Sequence, residues 1–377
     1  MRRIALATTA LMALAGGDAI AQADLAPTPP AATVVPAPAP ASPLPIIVAP
    51  PPLAPPPVDP MEAPFRAYLT GFRSRAIAAG VRPETVDAIL PGLSYNPRIV
   101  AFDRAQSPSV GGTPQLFSDY LARHVTPDVV AIGKSKLQTL APQLAAIERT
   151  SGVPAPVLGA IWGLETAYGS YVGDFDLFRS LATLAFDGRR RPMFEQELIA
   201  ALTLVDRGVI SRDRLVGSWA GATGQSQFMP SVALRLARDG DGDGRGDIWA
   251  SAPDTLASIG AYLANAGWRP GLPWGMKVVV PYTLDRSRIR ETVRAPKCTK
   301  VLAAHSRWIP ISEWRALGVI PLDRAWPDDN ALATLVEPDG PAAPAYLTFN
   351  NYRAILDYNC SNFYALSVGL LADALAR

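Results

Sequence analysis

The chain has 377 residues, 49% of them hydrophobic, which is enough to bury a substantial core and excludes a protein disordered throughout. Its 35 basic and 33 acidic side chains leave a net charge of +2, so composition makes no electrostatic case for nucleic acid or an anionic membrane. The two histidines, His124 and His305, stand far apart and in no metal-ligand pattern, and no G-x-S-x-G occurs, which argues against histidine-rich metal catalysis and a nucleophile-elbow hydrolase.

Met1-Arg2-Arg3, an apolar run from Ile4 to Ala15 and the small-x-small site Ala19-Ile20-Ala21 read as an export signal over residues 1–21. The run is short for a bilayer span and no cysteine follows it closely, so the expected product is a soluble, periplasmic protein without an integral span once the signal is removed. An uncleaved anchor is the competing reading. Residues 26–60 hold 15 prolines in 35 positions, which denies the backbone its hydrogen bonds; residues 22–62 read as a spacer or a disordered tail.

Helical periodicity begins at Pro64, with Phe65, Leu69 and Phe72 on one face and Gly80 closing the run. A short helix follows at Pro83, then helical stretches over Asn96–Gln106, around Phe117–Leu121, and over Leu137–Thr150, the last with Pro142 as an expected kink. Pro154 and Pro156 suit the first turn of the next helix. On it Leu158, Trp162 and Glu165 recur at i, i+4 and i+7, so one carboxylate shares a face with apolar side chains. Gly169 as a stop places Glu165 in the last turn, where burial and the helix dipole both disfavour the anion and raise its pKa, as a general acid requires. A boundary glutamate reaching water past Trp162 is the plainer alternative.

The rhythm returns through Phe194, Leu198, Leu202 and Val205 to Gly208. The stretch Val216–Pro230, rich in glycine, hydroxyls and amides around Trp219, reads as an ordered loop suited either to a hydroxyl-rich ligand or to a structural turn. Asp239, Asp241, Asp243 and Asp247 occupy EF-hand positions 1, 3, 5 and 9, but Ala250 stands where a bidentate glutamate belongs. A structural calcium and a metal-free acidic turn both remain open, with Asp254 either folding back to the loop or capping the next helix. Short strands are expected at Lys277–Pro281 and Ala333–Glu337, the latter running into the turn Pro338-Asp339-Gly340. Cys298 and Cys360 are the only cysteines, and in an exported chain they read as a disulfide, with two buried thiols as the alternative. The expected architecture is mostly α: a helical core over 63–273, a smaller β-containing subdomain over 274–345, and a segment over 346–377 that completes the cleft.

Five stretches resemble the membrane-bound lytic transglycosylase B family of peptidoglycan-cleaving enzymes: Trp162–Thr166, Phe186–Arg191, Ser218–Pro230, the Asp-Gly-Asp-Gly turn, and Tyr358–Ala365. The resemblance spans about residues 64–375. It implies a lysozyme-like core cleaving the MurNAc–GlcNAc β-1,4 bond without water and leaving a 1,6-anhydro end, with Glu165 as the sole acid and base. No cofactor is implied for the chemistry. It also implies substrate contacts at Tyr120, Arg189, Arg190, Gln227, Tyr262, Tyr358, Asn359 and Tyr364. The expected partner is the glycan strand of peptidoglycan; synthesis or division machinery is not identifiable. A hydrolytic muramidase using Asp174, Asp176 or Asp187 as second acid, and a scaffold that binds without cleaving, are the rival readings.

Overall fold

Glu62–Ala78 opens the described chain with Phe65, Leu69 and Phe72 buried, as the periodicity requires. The structure, a computed structural model, describes residues 59–105 and 115–377; the export signal and most of the proline-rich segment lie outside them. Pro83–Ile89, Pro97–Ala105 and Phe117–His124 follow at the expected places. The expected helix over Leu137–Thr150 is corrected. Two helices, Pro127–Thr139 and Ala141–Ser151, meet at Leu140, and Pro142 sits in the first turn of the second, where its missing N–H costs nothing.

Two helical cores lie side by side. The first gathers Phe65, Phe72, Phe178, Leu181, Phe194 and Leu198 from Glu62–Ala78, Leu177–Asp187 and Arg191–Asp206. The second gathers Leu158, Trp162, Ile259, Tyr352, Leu366 and Val368 from Ala155–Thr166, Ala252–Asn265, Asn350–Tyr358 and Asn362–Ala376. Ala155–Thr166 is apolar on nearly every side, which is the pattern of a helix enclosed by others, and it packs along Asn362–Ala376. One face of a central helix therefore meets the C-terminal helix.

Five antiparallel strands form the sheet in the order Ile309–Pro310, Leu332–Val336, Ala345–Thr348, Gly275–Val279 and Ile320–Pro321. Met276, Val278, Leu335 and Leu347 turn to a small core around Trp314, while Val336 and Tyr346 on the opposite face join the second helical core. Burial on both faces explains the near-continuous apolar strands. The strand Ala345–Thr348 carries the sheet past the boundary expected at 345. Cys298 and Cys360 are joined by a disulfide, with Cα atoms 5.5 Å apart. It ties the segment after the strand Gly275–Val279 to the start of the C-terminal helix Asn362–Ala376. The chain is mostly α, with a small antiparallel sheet, as expected.

Candidate active site

The helix bearing Glu165 ends at Thr166, and Ala167 and Tyr168 both turn left-handed, with φ of 48° and 59°. Such angles cost about 1–3 kcal/mol at a non-glycine residue and persist only where surroundings hold them. Tyr168 is so held: its hydroxyl donates to Val129 O at 3.0 Å and its ring meets Trp162 edge-on at 5.5 Å. Gly163 admits that ring, since a Cβ there would lie 2.6 Å from Tyr168 Cζ. The stop falls two residues before Gly169, but the consequence is the expected one: Glu165 lies in the last helical turn.

Glu165 is 4% exposed, and burial pushes its pKa up to about 8. The nearby Tyr364 hydroxyl offsets part of this, although neither Glu165 Oε2 nor Tyr364 Oη completes a hydrogen bond of ordinary geometry. Among the described residues, no second carboxylate and no cation perturbs Glu165. The three acids considered as a second catalytic group have other partners. Asp174 contacts Tyr171, Asp176 caps Leu177–Asp187 and pairs with Arg212, and Asp187 pairs with Arg104.

Tyr120, Tyr358 and Tyr364, three of the residues implied as substrate contacts, are brought around Glu165: burial raises the pKa of each phenol, and the Glu165 charge raises it further. Tyr262 lies against Tyr358 with ring centroids 4.7 Å apart and the planes tilted by 59°, and Phe228 lies against both. The Tyr262 hydroxyl donates to Asp357 O, and the Tyr358 hydroxyl to Ser226 O at 2.6 Å, so both rings are fixed from behind. Gln227 is left-handed at φ 50° and donates to Val172 O and Gly224 O, which leaves its Oε1 without a partner. Asn359, half-buried, follows the helix Asn350–Tyr358 as its C-cap. Unpaired buried acceptors and hydroxyls gathered at one place are what a polar ligand would satisfy.

Arg189 and Arg190, implied as substrate contacts, are both tied to Asp103. Arg189 donates to Asp103 Oδ2 at 2.6 Å and Oδ1 at 2.5 Å, and Arg190 to Oδ1 at 2.5 Å while lying over the Phe194 ring. Their side chains remain 43% and 32% exposed, so each guanidinium keeps an outward face. Asp103 itself was signalled by the pattern Ile99, Val100, Asp103, an acid on an apolar helix face.

Two further supports were not legible locally. Asp339 accepts from Phe117 N and Ser118 N at 2.5 and 3.0 Å, so a turn at the sheet caps the helix that carries Tyr120. Gln225 accepts from Trp162 Nε1 through its side chain and from Thr166 Oγ1 through its carbonyl, and its N–H donates to Ile248 O. It thus joins the Glu165 helix to the exit of the acidic loop.

In that loop Asp239, Asp241 and Asp254 bring carboxylate oxygens within 4.8 Å of one another. Asp254 is folded back: it accepts from Gly240 N and Asp247 N, and Ser251, not Asp254, caps the helix Ala252–Asn265. Asp243 and Asp247 accept from Arg245 N, Trp249 N and Ala250 N, so the convergent trio differs from the set read from spacing. These three carboxylates, that of Asp254 buried, are hard oxygen donors of the kind calcium takes and make up part of the about six to eight oxygens it needs.

Comparison with known proteins agrees with this arrangement. Residues 64–373 match the family described as Transglycosylase SLT domain. The membrane-bound lytic murein transglycosylase B of Escherichia coli K12 is 29% identical over 259 residues, which is 68% of this chain and 66% of that protein. SltB3 from Pseudomonas aeruginosa, solved with NAG-anhNAM-pentapeptide, is 37% identical with a TM-score of 0.74 over 83% of this chain and 79% of that one. The E. coli lytic transglycosylase Slt35, solved in complex with calcium, is 25% identical with a TM-score of 0.68 over 82% and 92%. Taken with the buried lone acid and its ring of tyrosines, the match over residues 64–373 establishes that this chain belongs to the SLT-domain transglycosylase family.

Proposed function

We propose that the protein is a peptidoglycan lytic transglycosylase in which Glu165 alone serves as acid and base. The observation that carries this is the buried Glu165 with its pKa pushed up to about 8 and no second carboxylate among its perturbing groups. At neutral pH the carboxyl holds a proton, which it gives to the leaving glycosidic oxygen. A paired-carboxylate hydrolase needs a second acid, whereas the substrate's own N-acetyl oxygen can attack C1 in its place. The resulting carboxylate then accepts the proton of the C6 hydroxyl as that oxygen attacks C1 and displaces the N-acetyl oxygen, giving the 1,6-anhydro sugar with its N-acetyl group restored and regenerating the acid. Tyr120, Tyr262, Tyr358 and Tyr364 offer sugar-stacking faces, and Gln227 Oε1 and the Tyr364 hydroxyl offer polar contacts. Asn359 lies at the same end of the cleft-forming segment, and the outward faces of Arg189 and Arg190 suit carboxylates of the lactyl or peptide groups.

The domain limits, the export signal and a periplasmic location belong to the same reading; no helix among the described residues is long and apolar enough to cross a membrane. Asp239, Asp241 and Asp254 would hold a structural calcium, whose contribution is to neutralise the trio and stiffen the loop behind Gln225. The deciding experiment is mass spectrometry of products released from purified cell wall. Anhydro-ended muropeptides are expected; reducing-end products alone would favour a hydrolase, and binding without release a scaffold.

A further inference from the structure

Residues 286–307 hold seven basic side chains and one acidic one, in a chain whose totals are 35 and 33. Four of the seven are spent on ion pairs, Arg286 with Glu337, Arg288 with Asp285, Lys297 with Asp357 and Arg307 with Glu313. Arg290, Arg294 and Lys300 are exposed and, among the described residues, pair with no acid. The one acid of the stretch, Glu291, is turned to its own backbone, accepting from Thr292 N and Val293 N.

Beside this stretch opens a cleft of about 310 Å³ lined by Arg286, Arg290, His305, Ser306 and Glu337. Its other polar groups are already committed. Arg286 grips Glu337 with both Nε and Nη2, at 2.8 and 2.7 Å. His305 bonds Thr334 and Asn362 through its two ring nitrogens, and burial pushes its pKa down to about 3, so it is neutral. The Ser306 hydroxyl donates to Arg307 O and accepts from Leu335 N. Arg290 is left as the one lining group with a free charge, and that charge selects an anion.

The stretch is also fastened to the catalytic end of the molecule. Cys298 is bridged to Cys360, which lies between Tyr358 and Tyr364 in the chain, and Lys297 binds Asp357 at 2.7 Å, the residue that holds the Tyr262 hydroxyl. The basic stretch is thus anchored to the same segment that carries Tyr358 and Tyr364.

We infer that the cleft at Arg290, together with the exposed Arg294 and Lys300 of the same stretch, is an accessory site for the carboxylates of stem peptides on a glycan strand held at Glu165. This rests on the reading of peptidoglycan as substrate, whose strands repeat carboxylate-bearing peptides along their length. The site adds affinity for peptide-bearing polymer by multivalency and leaves the bond-breaking step untouched.

The test uses the full chain carrying Glu165→Gln, with and without Arg290→Glu, Arg294→Glu and Lys300→Glu, co-sedimented with intact sacculi and with sacculi stripped of peptide by an amidase. The three reversals are expected to weaken binding to intact sacculi by about tenfold, to leave binding to stripped sacculi within about twofold, and to flatten the salt dependence. Arg290→Lys with Arg294→Lys keeps the charge and should keep the binding. In the background with Glu165 intact, the same reversals should not change turnover of a short disaccharide-peptide. An equal loss on both sacculi, no loss on either, or charge-dependent binding only to vesicles of anionic phospholipid overturns the site. If the Glu165→Gln protein sediments with no sacculus at all, the proposed function falls first, and the site with it.

Discussion

Asp103 and Glu165 begin from the same local pattern and end as opposite chemical groups. Each stands on an otherwise apolar helix face, and each is buried, at 1% and 4% exposure. Burial alone pushes both pKa values up. At Asp103 the guanidiniums of Arg189 and Arg190 together outweigh that push and hold the carboxyl below its usual range. At Glu165 no cation among the described residues arrives, and the value climbs to about 8. One acid is an anion at neutral pH and the other keeps its proton. A buried carboxyl becomes a proton donor only where the fold withholds the positive charge that would stabilise its anion.

The comparison breaks most directly at Glu165. Glu165→Gln keeps shape and polarity but cannot move a proton, so release of products from cell wall should fall by about 10³-fold or more, while sacculus binding persists. Turnover within roughly tenfold of the parent would remove Glu165 from the chemistry.

At Asp103 the comparison can be inverted. Replacing both Arg189 and Arg190 by alanine leaves a buried, unpaired carboxylate, which should cost about 3–5 kcal/mol in denaturant unfolding and move the Asp103 pKa above the ordinary carboxylate range, readable by NMR titration. An unchanged unfolding free energy would show that the two ion pairs contribute nothing.

The pH dependence of stability has opposite signs at the two sites. Glu165 has a folded pKa of about 8 against 4.5 for the free group, so the folded chain holds a proton the unfolded chain has lost, and stability falls as pH rises across that interval. Asp103 is depressed below 3.8, so its contribution is present above that pH and is lost as pH falls through the folded value. The melting temperature of Glu165→Gln should therefore overtake that of the parent by several degrees between pH 5 and 8 and hold the advantage above. A constant difference across that range would mean that Glu165 does not titrate there. Activity should decline above about pH 8 for the same reason.

Asp254 supplies a third solution to burial, since it is held by the N–H groups of Gly240 and Asp247 and lies within reach of Asp239 and Asp241. If calcium binds the trio, chelation should lower the melting temperature by a few degrees and millimolar calcium restore it. An identical melting curve with and without calcium would assign the loop to backbone hydrogen bonding alone.

The smallest effect is expected from Arg189→Ala or Arg190→Ala singly, because the remaining arginine still neutralises Asp103. A few-fold rise in KM on peptide-bearing glycan, with kcat little changed, would fit contact with substrate carboxylates remote from the bond broken. A fall confined to kcat, equal on peptide-bearing and stripped glycan, would move these arginines to the reaction centre.

Periodicity along the chain determined which residues turn inward: Phe65, Leu69 and Phe72 on the first helix, and Leu158 and Trp162 beside Glu165. Turn chemistry and cysteine count likewise marked the stop after Glu165, the left-handed Gly208 and the Cys298–Cys360 bridge. These follow from chain stereochemistry within a few residues, or from there being only two cysteines to pair. Tertiary structure alone decided what faces each buried group. The partners of Asp103 lie 86 and 87 residues away, Asp339 reaches 222 residues back to cap the helix of Tyr120, and Gln225 reaches 63 back to Trp162. Local pattern states that a side chain is buried. Whether a buried carboxyl meets an arginine, a backbone N–H or only tyrosines depends on contacts between distant segments, and those contacts set its charge.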